Sequence, residues 1–199
     1  METIPRSNEV FLCGTPLGEP LYSHSARAES FYTLPFAVAR LSGTVDTLDL
    51  TLREPLLDAL RGAGRLAVRG ELRSFNSRSG TWPRLVLSVF VRDLEAAQGE
   101  DDNLVRLRGA LCKPPRLRRT PMGRDICDLI LAVNRSYGRS DYLPCICWGE
   151  LARETAALGV GTQLALEGRL QSRRYRKLTE EALVERTAYE VSVARAETL

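Results

Sequence analysis

A single histidine, His24, and five cysteines without one Cys-x-x-Cys pair leave this chain with no ligand set for zinc and no even-numbered disulfide framework. Cys13, Cys112 and Cys127 are scattered, while Cys145 and Cys147 have the spacing of one strand face and read as small apolar fillers in a reducing compartment. The chain has no serine, histidine and aspartate set able to form a triad, no Walker-type glycine loop and no Gly-x-Gly-x-x-Gly. Neither an enzyme nor a cofactor is expected. Apolar runs fall well short of the ~20 residues of a membrane span. Residues Met1 to Arg6 lack the basic-then-apolar layout of a signal peptide. The expectation is a soluble cytoplasmic protein without membrane contact.

What the chain does have is an internal repeat. Shifted by 95 positions, Asn8, Val10, Leu12 and Gly14 fall on Asn103, Val105, Leu107 and Gly109. The shift grows to 98 where Gly70 and Leu72 meet Gly168 and Leu170, and to 102 where Arg84 to Val91 meet Arg186 to Val193. Insertions of that kind belong in loops, so one fold is used twice. The repeat divides the 199 residues into a first domain over 1–94, an acidic linker over 95–102 and a second domain over 103–199. Eight linker residues reach at most ~28 Å, which puts the domains side by side. Charge is divided unevenly. Residues 1–102 hold 11 cations against 14 anions, residues 103–199 hold 17 against 11, and nearly all of the latter cations are arginine. Arginine pairs with phosphate in a forked geometry and stacks on bases.

Period-two alternation dominates both copies. Three strands, one helix and two strands are expected in each. In the second copy the strands begin at Val105, span Asp128–Val133, Tyr142–Trp148 and Gln163–Leu170, and end with Thr187–Val193. The helix is expected at Glu150–Leu158, closed by Gly159; the first copy matches with Leu56–Leu60 and Gly62. That order predicts an all-β protein of two tandem OB-fold barrels, each of five strands with one helix between strands three and four.

The third strand carries the functional reading. Leu143, Cys145 and Cys147 match the inward Leu48, Leu50 and Leu52, leaving Tyr142, Pro144, Ile146 and Trp148 on the other face, where the first copy has Thr47, Asp49, Thr51 and Arg53. A strand apolar on both faces must cover the second with protein or with a ligand that has flat apolar faces, and nucleobases are such a ligand. Cations surround it: Arg135 and Arg139 before it, Arg116, Arg118, Arg119 and Arg124 in the first hairpin region, and Arg173, Arg174, Arg176 and Lys177 around Tyr175. Aromatics set among arginines form a track for bases and phosphates. The same Trp148 is also placed to cap the barrel core, Tyr137 sits at a turn that suits either role, and an isolated Arg118–Arg119 pair is an ordinary solvated face. In the first copy Arg73, Phe75, Arg78, Trp82 and Arg84 could touch nucleic acid or cover a partner barrel.

The run Gly161 to Tyr175, with Glu167-Gly168 and Ser172-Arg173 leading to an aromatic, resembles the fourth strand and binding hairpin of bacterial single-stranded DNA-binding proteins. Tyr142 and Trp148 fall where that family places stacking aromatics on strand three. Arg119 to Arg124 followed by Cys127 to Trp148 is similar to a two-barrel branch of the family, and primosomal replication protein N shares the barrel. The resemblance is specific over 103–195 and weak in the first copy. It implies sequence-tolerant binding of single-stranded DNA in replication, recombination or repair, at the nucleoid. Tyr142, Trp148, Tyr175 and Tyr137 would stack bases, while Arg135, Arg139, Arg173, Arg174, Arg176, Lys177, Arg118, Arg119 and Arg124 would serve the backbone. Family members assemble four barrels, so a homodimer is expected. The chain ends at Leu199 without the family's acidic tail, so recruitment of other enzymes by that route is not expected. An RNA or primosome-type binder and a protein-interaction barrel remain rival readings.

Overall fold

The computed structural model describes residues 7–77, 84–135, 138–178 and 183–199. Its strands are β1 (Asn8–Pro16), β2 (Leu21–Ala26), β3 (Glu29–Ala39), β4 (Val45–Arg53), β5 (Leu66–Ser77) and β6 (Arg84–Ala96). The second half repeats them as β7 (Asp102–Leu111), β8 (Arg116–Arg119), β9 (Asp125–Asn134), β10 (Ser140–Trp148), β11 (Gln163–Leu178) and β12 (Leu183–Thr198). A 3-10 segment, Glu54–Leu60, follows β4, and a helix, α1 (Gly149–Ala156), follows β10. Among the described residues each half thus has six strands rather than five. The additional ones, β2 and β8, pair with β3 and β9, and every residue of both is exposed, so neither carries an alternation that would mark it in the sequence.

All twelve strands form one sheet in the order β2-β3-β4-β6-β5-β1-β7-β11-β12-β10-β9-β8, which reads the same from either end once each strand is exchanged for its repeat partner. Contacts β1–β3 and β7–β9 curl each half back on itself. The halves meet along β1 and β7, antiparallel, with Val10 opposite Val105, its own counterpart. A twofold rotation about that pair relates the two halves. Alternating leucine and valine fill the interiors: Leu12, Leu34, Leu48, Leu50 and Leu52 in one half and Leu107, Leu129, Leu131, Val133 and Leu143 in the other are buried. Each such side chain contributes roughly 1.5–3 kcal/mol. No helix among the described residues is long and apolar enough to cross a membrane.

A bulge interrupts the β5–β6 ladder at Arg69/Gly70 and the β11–β12 ladder at Glu167/Gly168. Beyond it β5 departs from β1 and β11 from β7, leaving the backbone groups of Leu72 and Leu170 to be satisfied by other means. Asn8 does so for Leu72, donating to its carbonyl and accepting from its N–H at 2.8 Å each, and Asn103 does the same for Leu170 at 2.7 and 2.9 Å. The bulge needs glycine because backbone crosses close by: a Cβ on Gly168 would lie 2.2 Å from the carbonyl oxygen of Ser192. Gly168→Ala is therefore expected to destabilise by about 3 kcal/mol, whereas Gly159→Ala, with open space around it, stays within about 0.5 kcal/mol, as measured by urea unfolding.

Past the bulges, each strand arm leans on the opposite half and is fastened there by a buried aspartate. Asp141 on β10 accepts from the Ser74 N–H of β5 at 2.6 Å, from Arg73 at 3.0 Å and from Arg135, while Tyr142 N–H donates to Ser74 Oγ at 2.8 Å. Its repeat partner Asp46 accepts from the Ser172 N–H of β11 at 2.8 Å and from Arg40 at 2.6 and 2.7 Å. The connection between the halves, residues 97–101, is also tied down: Asp101 pairs with Arg65 at 2.6 Å and accepts from the Ala39 N–H.

Candidate nucleic-acid interface

Between the β11–β12 arm, the β8–β9 hairpin and the end of β10 lies a groove of about 790 Å³. Trp148 supplies its exposed apolar surface beside the buried Ile126 and Ile146, and Arg40, Arg118, Arg124, Arg169, Arg173 and Arg174 line it. Trp148 is 39 % exposed, its ring held by an Nε1–H bond to Ser192 Oγ at 3.2 Å. The indole is neither sealed in the core nor free to turn. Six arginines repel one another, and the fold separates them. Arg40 is held by Asp46, Arg118 by Asp128 at 2.6 Å, and the Arg173 guanidinium lies 5.6 Å from the centre of the Tyr175 ring. Arg124, Arg169 and Arg174 have no acidic partner among the described residues.

The residues expected from the sequence divide into groups. Trp148, Arg118, Arg124, Arg173 and Arg174 come together in the groove. Tyr175 stands on the same arm, 37 % exposed, and Arg176 and Lys177 continue that strand with side chains outside the described residues. Tyr142 is 52 % exposed but lies six residues, ~20 Å, along β10 from Trp148, against the first half's β5 arm rather than in the groove. Arg139 is exposed in the adjoining turn, where its carbonyl accepts from the Arg135 N–H at 2.7 Å. Tyr137 lies outside the described residues, as do Arg78, Trp82 and the side chain of Arg84.

Three expectations are corrected by the geometry. Arg135 is not on a backbone track: its guanidinium is bound to Asp141, with Ser74 O accepting at 3.2 Å, because a buried carboxylate requires a partner and Arg135 faces it across the β9–β10 turn. Arg119 does not line the groove and shares Asp125 with Arg153, whose joint bonds hold that carboxyl below its usual range. Ile146 is buried, because β12 runs parallel beside it in register with Ser192, so the outer face of β10 is apolar surface only at its ends. Arg73, considered with the first copy, likewise pairs with Glu71 and Asp141.

Sequence reasoning missed Arg169, Gln171, Glu190 and Ser192 of the groove. The signal was present, since alternation puts Arg169 and Gln171 opposite the buried Leu170, and Glu190 and Ser192 opposite Val191. It also missed Arg40 and Thr44, which reach the groove from the other half's β3–β4 turn. The cysteines take no part. Burial pushes the Cys147 thiol up to about 11 and raises Cys145 and Cys127 as well. No group of histidine, cysteine and acidic side chains among the described residues could hold a metal ion.

The model of the single-strand binding protein family matches residues 102–199. Single-stranded DNA-binding protein B of Bacillus subtilis (strain 168) is 38 % identical over 80 residues, 37 % of this chain and 71 % of that protein. The chain belongs to the single-strand binding protein family. Single-stranded DNA-binding protein A of the same organism is 38 % identical over 80 residues, 46 % of its length, and protein 2 of Listeria innocua is 36 % identical over 50 % of its length. The chain thus spans about half the length of several curated relatives it matches. Its fold is similar across nearly its whole extent to the crystal structure of the wild-type single-stranded DNA binding protein from Thermus aquaticus, with a TM-score of 0.76, 25 % identity, and coverage of 96 % of this chain and 92 % of that one. The single-strand binding family match falls on the half that holds the groove, and the Thermus likeness extends over both halves.

Proposed function

We propose that this protein binds single-stranded DNA with little sequence preference, chiefly through its second half, with the first as a supporting half and residues 97–101 as the link. The observation that carries this is an oriented indole, Trp148, in one groove with Arg124, Arg169 and Arg174, cations that have no acidic partner among the described residues. A base stacked on an exposed aromatic gains roughly 1–3 kcal/mol whatever its identity, and each phosphate met by an arginine releases a counterion. The named relatives support the same ligand. Trp148 and Tyr175 stack bases; Arg124, Arg169, Arg173 and Arg174 meet phosphates; Arg176 and Lys177 extend the arm. Tyr142 and Arg139 form a separate contact beside the first half. The role is protection of exposed strands in replication, recombination or repair at the nucleoid, by a homodimer that brings four barrels together.

Tryptophan emission titrated with oligo-dT through a salt series tests this. Quenching is expected, with a log–log salt slope near −0.7 for each phosphate neutralised. Most of the quenching disappears in Trp148→Phe while binding persists, since phenylalanine keeps a stacking face. Unchanged affinity after alanine at Tyr142, Trp148 and Tyr175 together would remove these rings from the site.

A further inference from the structure

One group in the groove is wrong for phosphate. Glu190, on β12, brings a carboxylate into the groove that the arginines line, where it repels a phosphodiester backbone and lowers the potential the arginines create. Its side chain is half-buried and hydrogen-bonded by Gln171 Nε2 at 2.9 Å, and Gln171 is the one hydrogen-bond donor to it among the described residues. The fold does not require this pair. At the equivalent positions the first half has Arg73 and Ser88 on the same backbone. Ser88 there bonds Thr51 Oγ1 and the Asp49 carbonyl, and Arg73 is drawn to Asp141.

The pair also has a fixed hydrogen-bonding sense. Two acceptors cannot face each other, so the Gln171 amide turns its NH₂ toward the carboxylate and its carbonyl away. Gln171 is buried apart from its end in the groove, which holds it in that orientation. The groove that holds Trp148 therefore presents an acceptor, the Glu190 carboxylate, oriented by Gln171. Glu190 stands two residues along β12 from Ser192, which holds the indole, so a base stacked on Trp148 with its edge toward β12 meets that acceptor. A base with an exocyclic amino group donates to it; a base with a carbonyl at the same place brings lone pairs against a negative charge.

We infer that Glu190 and Gln171 read the edge of the base at Trp148 and favour an amino-bearing base there, cytosine over uracil or thymine, within a track that is otherwise indifferent to sequence. This rests on the proposed binding of single-stranded DNA in the groove. The two pyrimidines differ at that edge in the sense of their hydrogen bonds and hardly at all in ring size, so the comparison of oligo-dC with oligo-dU of equal length isolates the edge.

The experiment is a competition between these two oligomers for the full chain, repeated with Glu190→Gln, which keeps the size of the side chain and removes its charge. The unmodified chain is expected to bind oligo-dC roughly fivefold more tightly or better, and the variant to bring the ratio close to one while binding both oligomers more tightly. Equal affinity for the two in the unmodified chain overturns the inference, and so does a ratio that survives Glu190→Gln. If the variant raises both affinities by the same factor, the carboxylate only offsets the arginines. If neither oligomer binds, the proposed function itself has failed. The oligo-dC and oligo-dU comparison requires no variant, so a folding defect in Glu190→Gln leaves the first arm decisive.

Discussion

Alanine at Arg124, Arg173 and Arg174 together is expected to weaken oligo-dT binding about a hundredfold at ~0.1 M salt. The argument is from counterion release. Each phosphate neutralised on a single strand contributes a slope near −0.7 in log affinity against log salt, so at a tenth molar each contact is worth a factor of roughly five. Three contacts multiply to about two orders of magnitude, and the slope itself flattens by about two. None of the three guanidiniums is held by an acid among the described residues, so their removal strands no buried charge and folding stability stays within about 0.5 kcal/mol. Alanine at Arg61, Arg119 and Arg153 is the matched control: the same charge is lost, but from exposed side chains that do not line the groove. A drop of equal size in that control would mean that net charge, rather than the groove, sets the affinity.

The second large effect concerns stability. Asp141→Ala is expected to cost about 3–5 kcal/mol, because the carboxylate is fully buried and its loss removes the acceptor that Arg135, Arg73 and the Ser74 N–H share, leaving Arg135 only the Ser74 carbonyl, Arg73 only Glu71 and the Ser74 N–H none. Urea unfolding followed by circular dichroism measures it, and a cost below about 1 kcal/mol would show that the arm is not fastened there. The same group sets an acid limit. Burial by itself pushes the Asp141 carboxyl up, but the bonds from Arg135, the Ser74 N–H and Arg73 outweigh it and hold the group below its usual range. A folded-state value below the unfolded one, about 3.9, means that the full contribution is present above that pH and is lost as the pH falls through the folded value. Unfolding free energy should therefore decline below about pH 4 in the natural chain and decline less steeply in Asp141→Asn.

Much of the fold was legible because its signals are local. Alternation of period two marks β1, β4, β7, β10 and β12, and the spacing of Leu143, Cys145 and Cys147 against Leu48, Leu50 and Leu52 identified the inward face, all six being buried. β2 and β8 were not legible, since a strand exposed on both faces leaves no period. The fastening of the arms was half legible. Arg40 and Asp46 recur as Arg135 and Asp141 at the same spacing of six, but a basic residue beside aromatics reads as a ligand contact until the carboxylate across the turn is seen to claim it.

The candidate site divides the same way. Trp148, Arg124, Arg173 and Arg174 were found because aromatic and basic composition survives in a linear reading. Arg40, Arg169, Gln171 and Glu190 were not, because what they share is a place in space. Sequence alone determined the duplication, the all-β class and the half that carries the basic surface, for each is a matter of period, spacing or count along the chain. Only the tertiary structure decided which arginines are free, because a guanidinium stays free or is neutralised according to which acid lies within about 4 Å of it, and in this fold some of those acids belong to strands more than 60 residues away.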